Sequence, residues 1–337
     1  MKFYTGSAGI LARKAQLEPM LGHPLHAFKS SMQLAQDDVL VGWGQKANTR
    51  QIRQKAQDLG LPYWQLEDGF IGYIGHPARG GKAVSLIADP VGIYYDARQP
   101  SRLEQLIATP CDTALLARAE ALTSELLRLG ITKYNCYAAG SALPDALAAR
   151  LHSDARPKVL LIDQVAGDLS IPGALASEAD FVEMVAAARR NHPGARLLLR
   201  THPDTRLGKK RGVLAQMQLD DVERITDHCH PHALLNEVEA VYTVSSQMGF
   251  EALLLGKAVW CFGMPFYAGW GLTHDSKSCP RRQAQVSLPQ LVAAALILYP
   301  RYLDPVLGQH CEVEQVLEII ADQLNPAPRY RRLYMVG

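Results

Sequence analysis

The six cysteines of the chain (Cys111, Cys136, Cys229, Cys261, Cys279 and Cys311) are scattered, with no C-x-x-C pair. That excludes a zinc ribbon and a disulfide framework, and points to reduced thiols in a cytoplasmic setting. Long apolar runs are missing too. The longest, residues 291–299, falls far short of a bilayer span, and residues 1–6 contain no continuous apolar h-region, so neither a secreted nor an integral protein is expected. Charge of one sign is not in excess: 35 basic against 33 acidic residues leave a net charge of +2, which gives no general attraction to nucleic acid. There is no low-complexity tract, and no repeat at fixed period that would indicate a solenoid or propeller. Nor is there a complete G-x-G-x-x-G fingerprint or an acidic metal-binding motif; no metal is expected.

What is present is 337 residues, 48% apolar and 20% charged, a composition suited to well-packed cores and a length suited to two of them. Residues 39–41 and 63–66 read as strands flanking a polar helix over 48–59 that Gly60 stops, a βαβ signature. An apolar-striped helix carrying Leu115, Leu116, Ala119, Leu122 and Leu126 ends at Gly130. The Ala-, Gly- and Ser-rich segment after it places a domain boundary near residue 154, giving domains 1–154 and 155–337. The βα alternation restarts with strands at 159–162, 196–199, 240–244 and 258–262, and helices around 181–189 and 247–255. The predicted fold class is α/β, with two Rossmann-like doubly wound domains facing a cleft, of GT-B type; the C-terminal helices are assigned to the second domain.

Polar motifs fall just past these strands, on the edge where open α/β sheets bind ligands. Ser245 and Ser246 lie between a strand and a helix, where unpaired N–H groups and hydroxyls make an anion site; the plain alternative is that one of them caps the helix. Glu251, further along that helix, is placed to meet ribose hydroxyls or solvent. His202, fixed by Pro203, is suited to a leaving phosphate, although a lone strand-end histidine is often structural. Glu67 and Asp68, before Gly69, offer a base for an acceptor hydroxyl. Asp163, followed by Gln164, offers a carboxylate for attack on a cationic sugar centre, and Asp168 is a less favoured neighbour. The run His228-x-His230-x-His232 with Cys229 would suit a metal ion if its histidines alternated on a strand face, but its spacing is loose and Pro231 interrupts it, so it is read as a loop histidine cluster. Gly42-Trp43-Gly44 indicates close backbone approach. The clusters Lys209-Lys210-Arg211 and Arg329-x-Arg331-Arg332 read first as solvated surface and second as contacts for anionic lipid or glycan.

On these residues the sequence resembles the KpsC-type β-Kdo transferases of Gram-negative capsule assembly, most closely the amino-terminal module of those two-module enzymes. The motifs are Leu66-Glu67-Asp68-Gly69-Phe70, Gly92-Ile93-Tyr94-Tyr95-Asp96, Lys133-Tyr134-Asn135, Asp163-Gln164 with Gly167-Asp168 and Ser170-Ile171, Thr201-His202-Pro203-Asp204, Ser245 through Leu253, and Pro265 through Thr273. The chain departs from the pattern at Gly72, where the family carries arginine, and at Val165-Ala166.

The resemblance implies a retaining transferase that moves Kdo from CMP-β-Kdo to a Kdo-terminated phosphatidylglycerol-type lipid, without a metal cofactor. It implies a cytoplasmic protein in peripheral contact with the inner membrane and working beside capsule assembly or export proteins. Asp163 then matches the catalytic aspartate, Glu67 and Asp68 the acidic motif, and His202, Pro203, Ser245, Ser246 and Glu251 the CMP-binding motifs. Gly69, Gln164, Lys133, Asn135, Tyr267 and Trp270 are expected on the acceptor side of the cleft. The alternatives are a transferase for another CMP-keto sugar such as sialic acid, and a non-catalytic glycan-binding assembly subunit.

Overall fold

In a computed structural model, residues 1–137, 142–201 and 210–324 are described. They divide into two units, one holding residues 1–93, 100–137 and 292–324, the other residues 94–99, 142–201 and 210–291.

The first unit is built on β1 (Phe3–Thr5), β2 (Leu25–Ala27), β3 (Val39–Trp43), β4 (Tyr63–Asp68) and β7 (Ser85–Asp89), with a small β5 (Tyr73–Ile74) and β6 (Lys82–Ala83) hairpin. In the second unit follow β8 (Lys158–Ile162), β9 (Arg196–Arg200), β10 (Val222–Ile225), β11 (Ala240–Thr243), β12 (Ala258–Cys261) and β13 (His274–Asp275). The chain then returns to the first sheet with β14 (Arg301–Asp304) and β15 (Gln309–Cys311), giving the order β15-β14-β7-β4-β3-β1-β2. Strands β4, β3, β1 and β2 are mutually parallel; β7, β14 and β15 extend the sheet in antiparallel fashion. Every residue of β3 is buried, as expected for an interior parallel strand covered on both faces.

The C-terminal helix Val313–Leu324 thus belongs with the first unit rather than with the second domain, where the sequence pattern had put it. It packs beside the helix Thr113–Leu129, and Arg118 on that helix is paired with Glu312 at 2.7 Å and Glu314 at 2.8 Å. Strand β14 supplies the physical reason, because it hydrogen-bonds the edge of β7 and would otherwise leave that edge open. Gly60 and Gly130, at φ of 64° and 65°, close their helices in the left-handed conformation that the stop signals require. The segment 142–154, expected to close the first domain, lies in the second unit and carries the helix Asp145–His152, whose Arg150 pairs with Glu223.

The second sheet is parallel throughout, in the order β10-β9-β8-β11-β12-β13. This is the doubly wound nucleotide-binding order, reversing between β8 and β11. Val159, Leu161, Leu197, Leu199 and Tyr242 join Phe181, Met184 and Val185 of the helix Glu178–Asn191 in one buried core. That helix starts in a capping box between Ser177 and Asp180, which satisfies two otherwise unpaired N–H groups. Most of the longest apolar run is buried helix: Leu288–Val292 continues as the wide turns of Ala293–Leu298, where residues 291–296 are buried and Leu298 is exposed. Among the described residues no helix is long and apolar enough to cross a membrane.

Candidate functional site at the reversal of the second sheet

Asp163 follows β8 and Ser245 follows β11, the two strands on either side of the reversal. The adjoining Gln164 ties them together. Its Nε2 donates to Ser245 Oγ at 2.9 Å and its Oε1 accepts from the Ser245 N–H at 2.8 Å. Ser170 completes the cluster, with its hydroxyl 3.2 Å from that of Ser245 and its N–H donating to Asp168 Oδ1.

Asp163 is 2% exposed. Its Oδ1 accepts from the N–H groups of Gln164 at 2.9 Å and Leu214 at 3.0 Å, while Oδ2 is buried with no hydrogen-bond partner. Burial pushes its carboxyl above the usual range, against the opposing pull of those N–H groups and of the Arg224 charge. A side chain at position 212 would not fit beside it: a Cβ on Gly212 would stand 2.1 Å from Asp163 Oδ2. The segment around Gly212 is held in place by the Val213 N–H to Gln164 O and by the Ala166 N–H to Arg211 O.

The serine turn departs in one respect from the expectation of unpaired N–H groups. Ser246 is the N-cap of the helix Gln247–Leu254, its Oγ accepting from the Met248 N–H at 3.3 Å. The N–H groups of Ser245, Ser246 and Gly249 are taken by Gln164, Thr243 Oγ1 and Ser246 O. Four N–H groups of the turn, those of Ser245, Ser246, Met248 and Gly249, are thus already bonded, and the two serine hydroxyls lie among them. Glu251 is buried within the same helix. His202 and Pro203 lie outside the described residues, as do Lys209 and the cluster Arg329-x-Arg331-Arg332; Lys210 and Arg211 are exposed.

Tyr267 and Trp270, expected to touch an acceptor, are instead fully buried. Tyr267 donates its hydroxyl to Ser246 O at 2.6 Å and Trp270 its indole N–H to Phe266 O at 2.8 Å, so they brace the glycine-rich loop and the serine turn. Gly249 makes room for this, since a Cβ there would meet the Tyr267 hydroxyl at 2.2 Å. The histidine run is not a strand face: His230 caps the helix Pro231–Asn236, and His232 is buried with neither ring nitrogen hydrogen-bonded. Among the described residues no three His, Cys, Asp or Glu side chains converge as a metal would need.

In the first unit, Glu67 and Asp68 end β4. Glu67 Oε1 accepts from the Trp43 indole N–H at 2.9 Å and the Asp68 N–H at 3.1 Å; Asp68 Oδ1 accepts from the Tyr73 hydroxyl at 2.6 Å. Burial, then the charge of Asp68, raises the Glu67 carboxyl, and Lys133 opposes the rise. Asn135 is buried and structural: its side chain bonds Thr132 N–H and Tyr73 O, while the Lys133 carbonyl accepts from Gly72 and Tyr73. Gly69 packs against Ser85, whose Oγ lies 1.9 Å from where a Cβ would be, and Gly42 packs likewise against Tyr63 and Thr49; the close approach is to the protein's own chain. Ser170, Gly212, Trp43 and Tyr73 join these clusters without having stood out as site residues in the sequence. Ser170 had a signal in its place after the Gly167-Asp168 run, and Trp43 in the Gly42-Trp43-Gly44 run.

Two Rossmann-like α/β units, the second with a carboxylate and hydroxyl cluster at its strand reversal, define a GT-B-type protein. The chain belongs to the capsule polysaccharide biosynthesis protein family, whose pattern matches residues 38–147 and 117–302. It is 36% identical to the capsule polysaccharide modification protein LipA of Neisseria meningitidis serogroup B over 98% of its own length and 48% of the relative's. It is also 36% identical to the lipopolysaccharide-processing protein LpsZ of Rhizobium meliloti, over 86% of this chain and 65% of that one. The chain thus spans about half the length of the meningococcal relative.

Among solved structures, KpsC β-Kdo 2,4 transferase of Thermosulfurimonas dismutans superposes with a TM-score of 0.88 at 40% identity, covering 95% of this chain and 98% of that one. The β-Kdo 2,7 transferase of the same KpsC gives 0.71 at 28% identity, covering 96% and 99%.

Proposed function

We propose that the chain is a retaining glycosyltransferase that moves Kdo from CMP-β-Kdo to a Kdo-terminated glycolipid in capsule biosynthesis. The observation that carries this reading is the link through Gln164 between the Asp163 carboxylate and the Ser245 hydroxyl. A nucleophile and a phosphate partner joined through a single bridging residue are what a nucleotide-activated sugar needs. Likeness to the two KpsC transferases supports Kdo as the sugar, and the higher identity to the 2,4 enzyme favours that linkage.

In the proposed reaction an oxygen of Asp163 bonds to the anomeric carbon of Kdo. The bond from that carbon to the phosphate oxygen breaks, and CMP leaves with the electron pair. The hydroxyls of Ser245 and Ser246, with His202, take the phosphate charge, so the reading calls for no metal. An acceptor hydroxyl then displaces Asp163 with a second inversion, which gives net retention. The hydroxyl's proton passes to the acidic motif of Glu67 and Asp68, where burial raises the Glu67 carboxyl. Cytoplasmic placement, peripheral contact with the inner membrane and capsule assembly partners belong to the same proposal, because the acceptor is a lipid.

The test is a transfer assay with CMP-Kdo regenerated in situ and a synthetic Kdo-terminated lipid, read by mass spectrometry, with CMP-sialic acid as competitor. A single Kdo increment that CMP-sialic acid does not suppress is expected. Preferred use of the sialic acid donor, or no increment although CMP binds, would overturn the reading.

A further inference from the structure

The first unit holds a cation that makes no side-chain hydrogen bond to any described residue. Arg13 closes the short helix Ala8–Ala12 after β1, and its Cζ lies 4.5 Å from the centroid of the Trp43 ring. Trp43 is the last residue of β3, 8% exposed, and anchored through its indole N–H to Glu67. It therefore forms a fixed platform. The nearest acid to the guanidinium is Asp68, at 3.7 Å, too far for a hydrogen bond, and that oxygen already accepts from Tyr73. Arg13 thus carries five N–H donors, none bonded to a described residue, on a side chain 31% exposed.

Stacking without bonding orients a guanidinium and leaves its edge free. An edge of that kind matches a carboxylate with two parallel hydrogen bonds. The ammonium of Lys46 lies 5.9 Å from the same ring, and Lys133 acts electrostatically on Glu67. Arg13 lies near Asp68, Lys133 acts on Glu67, which burial shifts toward its neutral form, and Lys46 adds a third positive charge near the Trp43 ring, so positive charge exceeds negative around this platform.

We propose that Arg13, seated on Trp43, binds the carboxylate of the sugar-acid residue that accepts the transfer. This rests on the transferase reading above and names the residues that select its acceptor. A bidentate charged pair of this kind contributes roughly 1.5–3 kcal/mol, or about 10- to 100-fold in affinity.

The experiment compares Arg13→Gln and Arg13→Lys with wild type on two synthetic acceptors, one with a free terminal carboxylate and one with its methyl ester. For the acid, Arg13→Gln raises the acceptor KM at least about tenfold while kcat and the donor KM hold, and Arg13→Lys falls between. For the ester, wild type and Arg13→Gln perform alike, which a merely structural role would not produce. Equal losses on both acceptors, or none on either, would overturn the proposal.

Should wild type not use CMP-Kdo at all, the transferase reading fails on its own. The carboxylate site is then read by saturation-transfer NMR, titrating the full chain with the methyl glycoside of Kdo and with its methyl ester. Binding of the acid alone, lost in Arg13→Gln, supports the site; equal binding of both, or of neither, refutes it.

Discussion

Replacing Gly212 by alanine adds one methyl group beside Asp163. The backbone at this position, φ −76° and ψ 155°, suits any L-residue, so the substitution introduces no backbone strain. Its effect is steric: the new Cβ would lie 2.1 Å from Asp163 Oδ2, and real Cβ contacts essentially never fall below 3.0 Å, so the carboxylate or its clamp must move by about 0.9 Å. A misplacement of about 1 Å costs roughly a hundredfold in rate, while overpacking destabilises by roughly 1–3 kcal/mol. Gly212→Ala should therefore lower kcat for transfer about a hundredfold with the CMP dissociation constant nearly unchanged, as measured by product formation and calorimetry. Urea melts supply a check independent of catalysis. In an Asp163→Ala background the oxygen is gone, and the same methyl should cost much less stability. Full kcat in Gly212→Ala, or an equal stability cost in both backgrounds, would refute the view that this glycine sets the position of Asp163.

The two serines should separate by stability. Ser246→Ala removes a helix cap as well as a phosphate contact, so it should cost about 1 kcal/mol in denaturant melts and also raise the donor KM, whereas Ser245→Ala should raise the donor KM about tenfold with little change in Tm. Because the folded carboxyl of Asp163 titrates above its ordinary range, the folded state holds the proton more tightly there, and the residue costs stability as pH rises through that window. Asp163→Asn should accordingly gain stability relative to wild type near pH 7 and match it near pH 3, as read by urea melts at both values. His232 runs the other way. Burial, with His230 adding to it, depresses its pKa from 6.5 to about 4, so stability is lost as pH falls between those values, by about 3 kcal/mol. His232→Leu should remove most of that loss in melts compared at about pH 7 and about pH 4.5.

The second sheet was legible because strands buried on both faces of a parallel sheet leave short unbroken apolar runs, as in Val159 to Ile162 and Leu197 to Leu199. The serine turn was legible for a local reason, since capping chemistry depends only on neighbours in sequence. The return of β14 and β15 to the first sheet was not: choice of a strand partner is non-local, and the edge of β7 leaves no mark on residues 301–311. Likewise, the clamp on Asp163 comes from a segment 51 residues away, and Arg13 meets Trp43 only because β1 and β3 are neighbours. Tyr267 and Trp270 were expected beside an acceptor because the resemblance implied it. Their actual partners are backbone carbonyls, which a sequence does not distinguish.

The most direct measurement of the central claim is rapid-quench mass spectrometry of the full chain mixed with CMP-Kdo in the absence of acceptor. The account predicts one Kdo residue covalently attached to the peptide containing Asp163, absent in Asp163→Ala and discharged when the Kdo-terminated lipid is added. Transfer with retained configuration but no such adduct, or an adduct on another residue, would contradict it.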